Sequence, residues 1–166
     1  MTDFGFLRRA WPDMCAAYRD AALAQACLDM QESFDADIPL LLVLCLADRA
    51  GHGVGRNELE ALADASAAWR EAVIRPLRLA RQAMKGRFGA PAEVALRSEI
   101  KRLELEAERL HVQRLTEAFP AAVPGSESAV LCYLGHRGVP VDAAHQFFKT
   151  FNLAHDAQVQ PAPAAD

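Results

Sequence analysis

The chain has 166 residues, 52% of them hydrophobic, and a net charge of −4; its pI is about 5.7 and its mean hydropathy −0.01. That length fits one globular domain with a sizeable core. The acidic balance speaks against a non-specific nucleic-acid binder, which draws on a basic excess, and the hydropathy speaks against general disorder. Aromatic residues make up 7%, and the prevalence of Ala and Leu favours helices over strands.

Helical periodicity starts at Trp11 and runs to Tyr18, with Pro12 suited to a first helical turn. Asp20 is placed to cap a second helix with Leu23, Cys27, Leu28 and Met30 on its apolar side. The third is the most informative segment. Behind Asp35-Ala36-Asp37 comes Ile38-Pro39-Leu40-Leu41-Leu42-Val43-Leu44-Cys45-Leu46-Ala47, a helix with no polar face. Asp37 is its expected N-cap and Gly51 its stop. The apolar run is shorter than the ~20 residues that span a bilayer. It is therefore expected as the buried central post of the fold.

The loop Gly51-His52-Gly53-Val54-Gly55-Arg56 lacks the Lys-Ser/Thr ending of a phosphate-binding loop and reads as a flexible connection. Asn57 with Glu60 suggests a capping-box start for the fourth helix. Ser66 is a candidate cap for a further segment carrying Trp69, Val73, Leu77 and Ala80. Pro76 is expected to kink or divide that segment. Gly86 to Pro91 makes a break, and the longest helix follows from Ala92 to about Phe119. Leu96, Ile100, Leu103, Ala107 and Leu110 form one apolar stripe on it. Its charged faces suggest local pairing of Glu99 with Arg102 and of Arg102 with Glu106. Two short helices follow, Ser128–Leu134 and one after Pro140 with Ala144, Phe147, Phe148 and Phe151.

The expected architecture is all-α: a single-domain bundle of five to seven helices over residues 1–155, around an apolar helix at about 38–50. A disordered Ala/Pro-rich tail is expected over 156–166. The start Met1-Thr2-Asp3-Phe4 has no basic region followed by a long apolar stretch, so no signal peptide is expected. Cys15, Cys27, Cys45 and Cys132 lie in apolar helical patterns without a C-x-x-C pair and read as buried free thiols. A cytoplasmic protein follows.

Three constellations could carry chemistry. Arg70, Arg75, Arg78, Arg81 and Lys85 form a basic row. Arg forks suit carboxylates and phosphates, so Arg70, Arg78 and Arg81, with Trp69 beside them, could hold an anion or pair with acidic residues of the longest helix. On that helix Glu104 and Glu108 share a face and are their natural partners. Glu108-x-x-His111 has the spacing used in di-iron bundles, but the second copy that such a site needs is absent, and no metal or cofactor is expected. Gln31, Asp35 and Asp37 meet at a helix junction, where carboxylates serve acid–base chemistry or cap a helix. The histidines at 136, 145 and 155 match no zinc pattern, and no nucleophile motif is present.

Trp11 with Tyr18, Ala26-Cys27-Leu28-Asp29-Met30-Gln31, Asp37 with Leu40-Leu41-Leu42, Trp69-Arg70, Pro76-Leu77-Arg78, Arg81, Lys85 and Glu104-Leu105-Glu106-Ala107-Glu108-Arg109 resemble, in order and spacing, a mainly proteobacterial family of uncharacterised helical proteins. The resemblance covers about Trp11 to Leu115. The chain departs from it at Leu46 or a neighbour, where the family has Trp, and at Pro39, where it has Asn. It implies a helical, cytoplasmic bacterial protein and no activity.

Two functional expectations follow. One is a non-catalytic interaction or regulatory module, with a homodimer as the simplest assembly. The other is a binder of, or enzyme acting on, a small anionic molecule, with Arg70, Arg78, Arg81, Glu104, Glu108, Trp69, Gln31 and Asp37 as the candidate site.

Overall fold

The computed structural model describes residues 4–159. It is all-α, with no strand among the described residues. The helices are α1 (Gly5–Arg8), α2 (Ala10–Ala17), α3 (Ala21–Phe34), α4 (Ile38–Arg49), α5 (Arg56–Trp69), α6 (Arg75–Met84), α7 (Pro91–Glu117), α8 (Ala129–His136) and α9 (Val141–Gln158). One π-helical turn, Arg70–Ile74, joins α5 to α6.

The apolar helix α4 occupies the centre, and every residue from Leu40 to Ala47 is buried. Helices on all sides take up its surface: α8, the C-terminal half of α7, and α1, α2, α3 and α9. Each fully buried Leu contributes about 1.5–3 kcal/mol of transfer free energy, so this helix sets the architecture. Phe147 and Phe151 of α9 and Leu23 of α3 complete the same core. No described helix is long and apolar enough to cross a membrane.

Local caps start the helices where their side chains permit. Asp20 accepts from the backbone N–H of Ala22 and Leu23, Asp37 from that of Leu40, and Ser128 from that of Leu131. Helix α5 departs from the expected capping box: Gly55 is its N-cap and Asn57 lies inside the first turn. Asp48, near the end of α4, reaches Ser128 Oγ and the N–H groups of Ala129 and Val130. A carboxylate at a helix C-terminus is unfavourable for its own dipole, but here it sits against the N-terminus of α8, where the sign is right.

Pro76 does not break the chain's helical course. The π-helical turn lies directly before it. An inserted residue loosens the ladder where the proline supplies no N–H and its ring crowds the preceding turn.

The loop 51–56 is tied down. His52 is buried, its Nε2 meets the Pro120 carbonyl at 2.9 Å, and Val123 N–H donates to Gly53 O at 2.9 Å. A Cβ on Gly53 would lie 2.4 Å from the Val123 carbonyl oxygen, so only glycine fits there.

The thiols divide. Cys27 and Cys45 are buried, Cys132 is half-buried and Cys15 exposed. Burial pushes the Cys27 thiol up to about 12. Helix α9 continues to Gln158, past the expected tail boundary at 156; residues 160–166 of that tail lie outside the described residues.

A helical hairpin, α6 with the first half of α7, lies apart from this core. None of residues 75–106 joins the hydrophobic core, and α6 buries no residue. Leu79, Phe88, Val94, Leu96, Leu103 and Leu105 are 45–55% exposed. We refer to this hairpin as the arm.

Candidate functional site

The eight candidate residues fall into two groups. Gln31, Asp37, Arg70 and Arg78 line a cleft of about 350 Å³ between the α3–α4 junction and the α5–α6 rod. Trp69, Arg81, Glu104 and Glu108 are not among its lining residues. Between α6 and α7, where the basic row meets the acidic one, ion pairs fill the seam.

Glu104 is buried with its carboxylate held by two guanidiniums. Arg78 Nε donates to it at 2.9 Å and Arg81 Nε at 2.5 Å. Arg78 Nη2 also donates to Glu108 at 3.0 Å. Burial alone would raise Glu104, but the hydrogen bonds and charges of Arg81 and Arg78 bring it below its ordinary value. Glu108 moves the other way: burial pushes it up, and the charge of Glu104 adds to this against the pull of Arg78 and Arg81. Carboxylates driven apart in this way can divide acid and base roles, yet neither borders the cleft. Trp69 is a clamp on α7. Its indole N–H donates to the Ala107 carbonyl at 3.1 Å, and the Arg114 guanidinium stacks 5.0 Å from its ring centre.

Arg70 lines the same cleft as Arg78, one π-helical turn earlier in the chain, and holds the end of α3. It donates to the Asp35 carbonyl at 3.0 Å and the Asp35 carboxylate at 3.2 Å. Arg137, at the end of α8, grips the same two acceptors. Asp35 ends α3 in the left-handed region, φ 51°, and the two arginines hold it there. Arg70 Nε is buried with no hydrogen-bond partner among the described residues. Burial works against the Arg70 charge, but Asp37, Asp35 and Glu71 more than offset it and strengthen its hold on the proton. Arg75 pairs with Glu71 at 2.8 Å.

Beneath the cleft lies a buried polar network that sequence reasoning missed. Ser66, expected as a helix cap, sits inside α5 and is 1% exposed. Its hydroxyl donates to Asp37 Oδ2 at 2.8 Å and lies 2.8 Å from His111 Nε2. The same His111 nitrogen is 3.5 Å from Asp37 Oδ2. Asp37 N–H donates to Tyr133 Oη at 2.8 Å. Burial raises the Asp37 carboxyl, but His111, Ser66 and the Leu40 N–H together hold it below its ordinary value. The trio contains the residue types of a nucleophilic triad in a different geometry. A triad uses both ring nitrogens, one for the serine and one for the carboxylate. Here both partners share Nε2, and Nδ1 is buried with no hydrogen-bond partner among the described residues. With the proton on Nε2, that nitrogen is a donor toward Ser66 and Asp37, and only a lone pair is left unmatched at Nδ1. Position alone gave no hint of this network, because its hydrogen-bonded pairs are 29, 45 and 96 residues apart and meet only through packing.

The di-metal reading of Glu108 and His111 fails on direction. Glu108 turns to Arg78 and His111 to Asp37 and Ser66. Among the described residues no group of three His, Cys, Asp or Glu side chains is placed to hold a metal ion.

Along α7, the leucines of the expected apolar stripe face outward. Leu96, Leu103 and Leu110 are 55%, 45% and 37% exposed, while Ala107 is buried. The charged row of Glu104, Glu108 and His111 is the one that packs inward. Beside the leucines runs an exposed ladder in which Arg102 pairs with Glu99 at 3.0 Å and Arg109 with Glu106 at 2.7 Å. Arg102 thus pairs backward with Glu99, and Glu106 pairs with Arg109 instead of Arg102.

No curated protein and no solved structure matches this chain. Residues 9–115, more than half of the chain, match a protein family described as "Protein of unknown function (DUF2390)". The match covers the central helix, the clamp of Trp69, the Arg–Glu seam and the arm; the chain belongs to the DUF2390 family.

Proposed function

We propose that this protein is a non-catalytic helical interaction module of the cytoplasm, with the arm as its contact surface. One observation carries the reading: residues 75–106 stay out of the core yet hold large apolar side chains about half in solvent. Apolar surface concentrated on one element marks a contact site, where scattered single residues would not. The Arg78–Arg81–Glu104 seam supports it, because it makes the hairpin rigid without using its leucines. The shared Nε2 of His111 supports the absence of nucleophilic chemistry at the buried trio. Four cysteines without a disulfide suit a reducing compartment.

Light scattering over a concentration series tests this. The mass should rise above the 18.1 kDa of one chain and fall back to it in Leu103→Asp. A mass that rises with concentration equally in the two proteins would contradict the assignment.

The cleft favours a second reading, a site for a small anion such as a dicarboxylate. Its support is the convergence of Gln31, Arg70 and Arg78 on one opening, with the Arg70 Nε left without a partner. Calorimetric titration with succinate tests it. Binding should be lost in Gln31→Ala and Arg78→Ala; absence of heat with the unaltered protein removes the reading.

A further inference from the structure

We infer that the occupant of the arm is a second copy of this chain, paired antiparallel along α7 about a two-fold axis at the level of Leu103 and Glu104. The inference rests on the interaction-module reading and adds its partner, orientation and register.

Two patterns on the exposed face of α7 point to the same level of the helix. The first is apolar. Leu96, Leu103 and Leu110 recur every seven residues and are all solvent-exposed, as in the seam of paired helices. They span about 21 Å at 1.5 Å per residue. An antiparallel copy centred at Leu103 sets Leu103 beside its own counterpart and each Leu96 beside the partner's Leu110.

The second pattern is electrostatic. The neighbouring ladder Glu99, Arg102, Glu106, Arg109 alternates in sign, and its four side chains are 43–64% exposed. Reversed and centred one position along, at residue 104, it complements itself: Glu99 meets the partner's Arg109, and Arg102 meets the partner's Glu106. A parallel pair about a two-fold axis would set each charge against its own counterpart, which is repulsive at all four positions. Self-complementarity is what an isologous two-fold contact requires, and opposed charges set register and orientation even where they add little affinity. A leucine row and a charge ladder whose centres fall within one residue of each other select a second copy over an unrelated helix, which need satisfy neither.

The test uses the full chain and three exposed-site variants, with circular dichroism to confirm folding. Arg102→Glu alone sets a carboxylate against the partner's Glu106, and Glu106→Arg alone sets a guanidinium against the partner's Arg102. Each should weaken self-association about tenfold or more, since both contacts of the dimer turn repulsive. An equimolar mixture of the two variants should recover association, because position 102 of either chain then faces an opposite charge at position 106 of the other. Native mass spectrometry should show the mixed dimer in excess of either homodimer. A strictly monomeric unaltered protein at millimolar concentration would overturn the second copy as occupant. A dimer abolished by Leu103→Asp but indifferent to both charge variants would overturn the antiparallel register while keeping the arm as the interface. A dimer that survives Leu103→Asp would move the interface off the arm and overturn the underlying reading as well.

Discussion

Ser66, Asp37 and His111 join α5, the start of α4 and α7 through one buried hydroxyl. Replacing Ser66 with Ala leaves the Asp37 carboxylate and the His111 nitrogen short of a partner in a buried site. We expect a loss of about 1–3 kcal/mol, read from urea unfolding. The pH dependence has a defined sign. The Asp37 carboxyl is held below its ordinary value of 3.8 in the folded chain, so its contribution is complete above that value and is lost as pH falls through the folded pKa. Glu104 acts in the same direction from its ordinary 4.5. Glu108 opposes them: its folded value is raised, so its contribution is present below 4.5 and lost as pH rises. Unfolding midpoints followed into acid should therefore fall less steeply in Asp37→Asn than in the unaltered protein. Gly53 offers a separate test. In Gly53→Ala the new methyl group meets the Val123 carbonyl at 2.4 Å, a backbone atom with little freedom to retreat, and thermal unfolding should report a loss of about 1–3 kcal/mol.

Between elements, the contrast to measure is α4 against α7. Leu44→Ala empties a fully buried position and should cost about 2–5 kcal/mol in chemical denaturation. Leu103→Ala, measured on the dilute protein, should stay within about 0.5 kcal/mol, because its site is half in solvent. The same contrast shows what the chain made legible. Helix α4 could be read from Ile38 to Ala47 because a segment with no polar residue has one stable location. The caps at Asp20 and Asp37 could be read because capping spans three residues. The orientation of α7 could not: its leucine stripe and its charged row share a helical period, and burial normally goes to the leucines. The Arg78–Arg81–Glu104 seam reverses that choice, at the expense of burying a carboxylate that two guanidiniums compensate. Contacts over long sequence distances were equally hidden, as with Asp48 reaching Ser128, 80 residues away. Half of the candidate site converged on the cleft. Arg81, Glu104 and Glu108 became the seam, which Arg78 joins from the edge of the cleft, and Trp69 became a clamp on α7.

At the scale of the whole molecule, the chain divides into a core wrapped around α4 and an arm whose apolar face is left in solvent. The core encloses the Asp37–Ser66–His111 network, which Tyr133 ties to α8. The arm is incomplete alone, and a two-fold pairing along α7 would cover Leu96, Leu103 and Leu110 in one step. Such pairing also predicts where stability should depend on concentration: in the arm, with the centre of α4 unaffected. The most direct measurement is backbone amide hydrogen exchange on the unaltered protein from micromolar to millimolar concentration. Amides of residues 96–110 should slow as concentration rises while those of 40–47 keep one rate. Exchange in 96–110 that is the same at every concentration would contradict the claim that the arm is a contact surface for its own copy.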